Sequence, residues 1–176
     1  RFLWLGVGQV LCSFTLDLVV TAGFSGELLP RTATGDCSPE DVCFGGASRL
    51  VGYVQEARNQ YASLPAKIRA LRSRPVVIDA GESYFGSLFF SFFGEQPVVE
   101  ALQKVEYDVM FLGSSDFYPG AFMLKNYLNR LDSSIPVVNS NVDISQHALG
   151  QSRGNFSSHF VPSYVLQLEG GQKVGL

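Results

Sequence analysis

Histidine is nearly absent from this chain: there are two in 176 residues, His147 and His159, both in one polar stretch. Neither follows an apolar run, where a sheet-based site would place a catalytic imidazole. To act as a metal pair they would have to be brought together from scratch, and a surface or hydrogen-bonded role is the plainer reading. Charge is also scarce, at 16% Asp, Glu, Lys and Arg and a formal net charge of −3. That balance excludes a general nucleic-acid binder. The 46% apolar content excludes a disordered chain. Basic residues gather only at Arg58, Lys67, Arg69, Arg72 and Arg74, which reads as a solvated helix face in preference to a phosphate-binding patch. Long apolar runs are missing too. Residues 2–12, FLWLGVGQVLC, are too few to span a bilayer. No repeat or low-complexity tract occurs.

Cysteine is limited to three residues. Cys37 and Cys43 sit in DCSPEDVC, a polar loop that suits a small disulfide-closed ring in an oxidising compartment. A zinc site is the other reading, but it would want a second ligand pair, and none is nearby. Cys12 lies in an apolar run and reads as a buried or unpaired thiol. Residues 1–13 read either as a secretory-signal remnant or as an extra N-terminal strand or arm. Asn155-Phe156-Ser157 is an acceptor sequon for N-glycosylation. Together these features point to a secreted or cell-surface protein.

What is present is an alternation of short apolar runs with helical stretches. FTLDLVVT at 14–21 is rich in β-formers and reads as the first strand, ending in a small-residue turn at 22–26. Leu50, Val54, Ala57, Tyr61 and Leu64 follow helical spacing. Pro65 ends or kinks that helix, and a second helical piece is expected over 66–73. Strands are expected at 76–80, 108–112 and 136–140, and helices from Pro97 and over 120–131. The helix over 120–131 has a stripe of Phe122, Met123, Tyr127 and Leu128. YFGSLFFSFF at 84–93 reads as packed core in preference to a substrate-stacking wall. Residues 145–160 read as polar loop. A Gly170-Gly171 turn between two apolar runs signals a hairpin. The order implies an α/β fold, a mainly parallel sheet layered with helices plus an antiparallel segment. Leu176 stops inside an apolar strand, so the reading expects a chain truncated at its C-terminal end.

The candidate site lies where two strands deliver polar groups. VVIDAGESYFG at 76–86 and VMFLGSSDFY at 109–118 each pass from apolar to small and acidic residues. In open α/β sheets the ligand crevice lies outside such carboxyl ends. Asp79, Glu82, Ser114, Ser115 and Asp116 are therefore expected to converge.

These landmarks resemble the N-terminal half of secreted 5′-nucleotidases and apyrases, whose catalytic domain is a calcineurin-like metallophosphoesterase. The family's T-N-D-x-H-G-x-L is met by Thr21-Ala22-Gly23-Phe24-Ser25-Gly26-Glu27-Leu28. A C-x5-C loop follows at Cys37 and Cys43, then G-G-x-x-R-L at Gly45-Gly46-Ala47-Ser48-Arg49-Leu50. The D-A-G-D-x-x-x-G motif reads Asp79-Ala80-Gly81-Glu82-Ser83-Tyr84-Phe85-Gly86. The family's Y-D-x-x-x-L-G-N-H-E-F-D reads here from Tyr107 to Tyr118. A P-x-x-x-A-N strand corresponds to residues 136–141. The resemblance covers residues 14–176 and implies the first part of an α/β/β/α metallophosphoesterase sandwich. It also implies two divalent cations such as zinc and the hydrolysis of nucleotide phosphate esters.

The departures fall on the chemistry. Where the resemblance implies an Asp and a His for the first cation, this chain has Gly23 and Ser25. The bridging Asp is Glu82, and the Asn on the second cation is Ser114. The phosphoryl-stabilising His is Ser115, and the Asp that orients it is Tyr118. Two cations about 3.5–4 Å apart need carboxylates and imidazoles to hold them, and serine hydroxyls are poor ligands for zinc or manganese at neutral pH. No bound cation is therefore expected. A serine nucleophile at Ser114 or Ser115 lacks an adjacent histidine base. The reading that follows is a non-catalytic 5′-nucleotidase-like module acting in binding or assembly. Its expected partners are proteins or a missing C-terminal half, and nucleotide is a weaker candidate. The alternative is an active metal-dependent phosphohydrolase with a cation site rebuilt around Asp79, Glu82 and Asp116.

Overall fold

The computed structural model describes residues 14–142 and 160–176. The expectations for the 1–13 segment, Cys12, His147, His159 and Asn155 lie outside those residues.

Five parallel strands form the central sheet in chain order. They are β1 (Leu18–Thr21), β2 (Val76–Asp79), β3 (Val109–Phe111), β4 (Val137–Val138) and β5 (Phe160–Val161). Each strand pairs with the next, with Val19 opposite Val77, Ile78 opposite Val109 and Met110 opposite Val137. Parallel neighbours joined by right-handed crossovers carry their helices on one face when strand order follows chain order. That face holds the main core. Val77, Met110 and Val137 from the sheet meet Val54 of α1 (Ala47–Ser63), Val98 and Leu102 of α4 (Gln96–Val105), and Leu124 and Leu128 of α5 (Ala121–Arg130).

The opposite face is covered by a hairpin, β6 (Val165–Gln167) and β7 (Lys173–Gly175), paired antiparallel about the expected Gly170-Gly171 turn. Leu166 and Leu168 close over Val76 and Ile78. The described residues thus make three layers: helices, parallel sheet, and a small antiparallel sheet.

Local chemistry sets the element ends. The α1 stripe ends as expected, with Leu64 extended ahead of Pro65. Pro97 lies in the first turn of α4, where a missing N–H costs nothing. Several expectations differ from the fold. The first strand is four residues long, and Thr15 makes only an isolated bridge to Arg72. The helix expected over 66–73 is one turn, α2 (Ala66–Arg69), and Ile68 and Leu71 stay exposed. Phe160, read as the end of a polar loop, instead opens the fifth strand, Phe160–Val161. Phe122, assigned to the buried stripe of its helix, is exposed, and Leu124 is buried in its place. The aromatic stretch divides. Tyr84 and Phe90 are core, whereas Leu88, Phe92 and Phe93 on α3 (Leu88–Phe93) face outward.

The basic cluster resolves into ion pairs. Arg58 bonds Glu106, Arg72 grips both oxygens of Asp17 at 2.7 and 2.6 Å, and Arg74 grips Asp108. Three of its five cations therefore serve the fold.

Candidate functional site

Three loops meet at the carboxyl end of the sheet. The loop after β1 runs beside the loop after β2, with N–H donors of Gly23, Ser25 and Gly26 on the carbonyls of Gly81, Glu82 and Ser83 at 2.8–3.0 Å. The loop after β3 forms a 3-10 turn, Ser114–Phe117, and closes the third side. Gly81 is what allows the approach. A β-carbon there would collide with the backbone of Leu112 and Gly113, and its φ of +98° disfavours any other residue.

The expected convergence is present, but the groups face different ways. Asp116 is 1% exposed and turned inward. Its Oδ2 accepts from the N–H groups of Glu82 at 2.7 Å and Gly113 at 2.8 Å, and its Oδ1 accepts from Ser83 N–H at 3.1 Å. Tyr84 Oη donates to its carbonyl at 2.8 Å. Asp79 is fully buried; its Oδ1 accepts from Ser83 Oγ at 2.6 Å and Gly81 N–H at 3.1 Å. Its Oδ2 is buried with no hydrogen-bond partner among the described residues. Burial pushes the Asp79 carboxyl up to about 6, against the pull of its two donors, and the nearby Asp116 adds to the rise. Burial also raises Asp116, opposed by the N–H groups it accepts from.

The positions singled out for chemistry are arranged around this core. Gly23 has a φ of +67° and brings no donor atom. Ser25 Oγ turns back to the Gly23 carbonyl at 3.4 Å. Glu82, at a φ of +60°, accepts from Ser114 Oγ at 3.0 Å through its Oε1. Ser115 Oγ is buried without a partner among the described residues. Tyr118 points to solvent, 73% exposed. Cys37 and Cys43 form a disulfide with Cα atoms 5.9 Å apart.

Of the positions that the resemblance assigns to two cations, Gly23 offers no side chain, and Ser25 and Ser114 offer hydroxyls. Among the described residues no three His, Cys, Asp or Glu side chains stand together to share an ion. The three carboxylates of the rebuilt-site reading, Asp79, Glu82 and Asp116, face different partners. Two of them are buried and turned to N–H and hydroxyl donors, and the third takes the Ser114 hydroxyl. A serine nucleophile would also want backbone donors for an oxyanion, and the N–H groups of Glu82, Ser83 and Gly113 already serve Asp116.

Two structural contributors were not foreseen. Tyr84 and Tyr127 stack at 4.1 Å with an 11° interplanar angle, a buried wall beneath the site. The holding role of Asp116 is the other. Its trace in the sequence is local: an acid three residues after Gly113 can return to that residue's N–H, as in a helix-start box.

The fold class is that of a metallophosphoesterase domain. The 5′-nucleotidase precursor of Thermus thermophilus superposes with a TM-score of 0.70 and 26% identity, over 92% of this chain and 28% of that one. A snake venom 5′-nucleotidase of Gloydius brevicauda is 29% identical over 143 residues, 81% of this chain and 21% of its own length. The mouse 5′-nucleotidase is 29% identical over 140 residues, 80% of this chain and 21% of its own. No family model matches the chain. In both sequence and fold the chain is similar to 5′-nucleotidases. The chain spans about a fifth of the length of these two curated relatives. Among the described residues no helix is long and apolar enough to cross a membrane.

Proposed function

We propose that this chain is a 5′-nucleotidase-like module that does not hydrolyse nucleotides and acts in binding or assembly. The observation that supports it is the donor set at the strand ends. Gly23 supplies no ligand atom, and the hydroxyls of Ser25 and Ser114 are neutral and already hydrogen-bonded. Hydrolysis by two cations needs ligands that hold them and charge that stabilises the transferring group. Loss of a single outer partner of a metal ligand typically lowers affinity or activity about 10–100-fold, and here several direct positions differ at once. The venom origin of one relative and the Cys37–Cys43 disulfide support secretion or cell-surface display, and protein partners fit that setting.

The test is metal analysis and turnover on the purified full chain. Supplied with zinc or manganese and then freed of excess metal, the protein should retain no stoichiometric cation and release no phosphate from a nucleoside monophosphate. Stoichiometric metal with turnover would establish the alternative, an active phosphohydrolase with an altered site. Nucleotide bound in the presence of chelator, without phosphate release, would make nucleotide the ligand of the module.

A further inference from the structure

We infer that the backbone N–H groups of Glu82, Ser83 and Gly113 form an oxyanion seat, and that Asp116 occupies it as a built-in anion. Consecutive N–H groups turn to the same side when the chain passes through left-handed conformations, and such concavities bind anions. Gly81 at φ +98° and Glu82 at φ +60° provide that passage. The contact of Gly81 with Gly113 brings in a third donor from the neighbouring strand end. All three N–H groups reach the Asp116 carboxylate at 2.7–3.1 Å.

The occupant is held from its own side as well. Asp116 N–H donates to the Gly113 carbonyl at 3.3 Å, and Tyr84 Oη donates to the Asp116 carbonyl at 2.8 Å. Side chain and backbone of one residue therefore fasten the loops after β2 and β3 together. The left-handed conformation of Glu82 is unfavourable for a residue with a side chain, and it persists where its surroundings over-determine it. Here the determinant is the grip on its own N–H and the next. The loops are thus locked by a carboxylate from inside the chain, and the seat is closed to outside anions. This inference stands whether or not the chain hydrolyses a substrate.

Chemical rescue tests it. Asp116→Ala should lower the melting temperature by more than about 5 °C, given two to four degrees per kcal/mol for a domain of this size. Sodium formate, a carboxylate small enough for the vacated seat, should recover at least half of that loss. Sodium chloride at equal ionic strength should not. The wild-type protein should respond alike to the two salts. An Asp116→Ala protein that melts with wild type, or that formate and chloride affect equally, overturns the inference. If that variant does not fold, Asp116→Asn keeps the size and removes the charge. Its amide hydrogen exchange at Glu82, Ser83 and Gly113 should quicken relative to wild type, and unchanged protection there overturns the inference.

Discussion

Gly81 and Gly113 lie backbone to backbone where the loops after β2 and β3 cross, with no room for a β-carbon on either. The contact is what brings Glu82 and Ser114 within hydrogen-bonding distance. Gly81→Ala would place a methyl against the peptide of Leu112 and Gly113 and force a side chain into a φ of +98°. Both effects act in the same direction, so the expected loss is at least about 2 kcal/mol. Gly52 is the internal control. It lies within α1, with open space around its missing β-carbon. Gly52→Ala should therefore stabilise the protein by about 0.5–1 kcal/mol. Urea unfolding of both variants reads the contrast, and equal effects would show that the crossing tolerates a side chain.

Much of this architecture was legible because the strands are apolar runs that end in Gly, Ser and acid. Residues 76–79 and 109–111 carry that signature and form the two central strand ends. The hairpin was legible from its glycine pair. The fifth strand was not, since Phe160–Val161 is two residues long and follows a polar stretch. Nor was the division of the aromatic stretch, because clustered Phe residues have no period that separates an inward face from an outward one. At the site, residue identities showed which chemical groups are present. They did not show that Asp79 and Asp116 turn inward, because that orientation depends for Asp116 on two donors more than 30 residues away, besides the local one at Gly113, and for Asp79 on its complete burial.

The split of the aromatic stretch makes a second prediction. Phe90 is 5% exposed and packs edge-on against Tyr84 and Phe85, with centroids 5.6 and 5.3 Å apart. Phe92, two residues on, is 81% exposed. Phe90→Ala should cost about 3–5 kcal/mol through the cavity it leaves. Phe92→Ala should fall within about 0.5 kcal/mol of wild type. Denaturant midpoints for the pair check the orientation of α3, and a large loss at Phe92 would contradict it.

The disulfide gives a third. Cys37 and Cys43 close a six-residue separation beside the Arg31–Phe44 backbone pair, whose two N–H···O bonds are 2.8 and 2.9 Å. Loop-closure entropy for so short a ring corresponds to about 2 kcal/mol. The Cys37→Ser, Cys43→Ser double variant should therefore melt roughly 4–8 °C lower than wild type. The loop is on the surface, so the sheet and helices should keep their structure. Far-ultraviolet circular dichroism at room temperature should match wild type, while proteolysis within residues 31–44 should be faster. Loss of the whole circular dichroism signal would mean that the ring does more than close a surface loop.

The last prediction concerns pH. The Asp79 carboxyl is raised from an ordinary 3.8 to about 6, chiefly by burial. A raised carboxyl holds its proton more tightly in the folded chain than in the unfolded one. Its contribution to stability is therefore greatest below about pH 4, declines as pH rises to about 6, and is level above that. The loss between those limits is about 3 kcal/mol. Asp116 is raised in the same direction, so the wild-type curve alone would not separate the two. Asp79→Asn does separate them, because it keeps an oxygen for Gly81 N–H and Ser83 Oγ and cannot ionise. Relative to wild type, the variant should gain about 3 kcal/mol between pH 4 and pH 7, whatever its absolute stability. Urea titrations of both proteins across that range measure the difference directly. Parallel curves would mean that the Asp79 carboxyl titrates alike in the folded and unfolded chains, which its complete burial, with no partner for Oδ2 among the described residues, argues against.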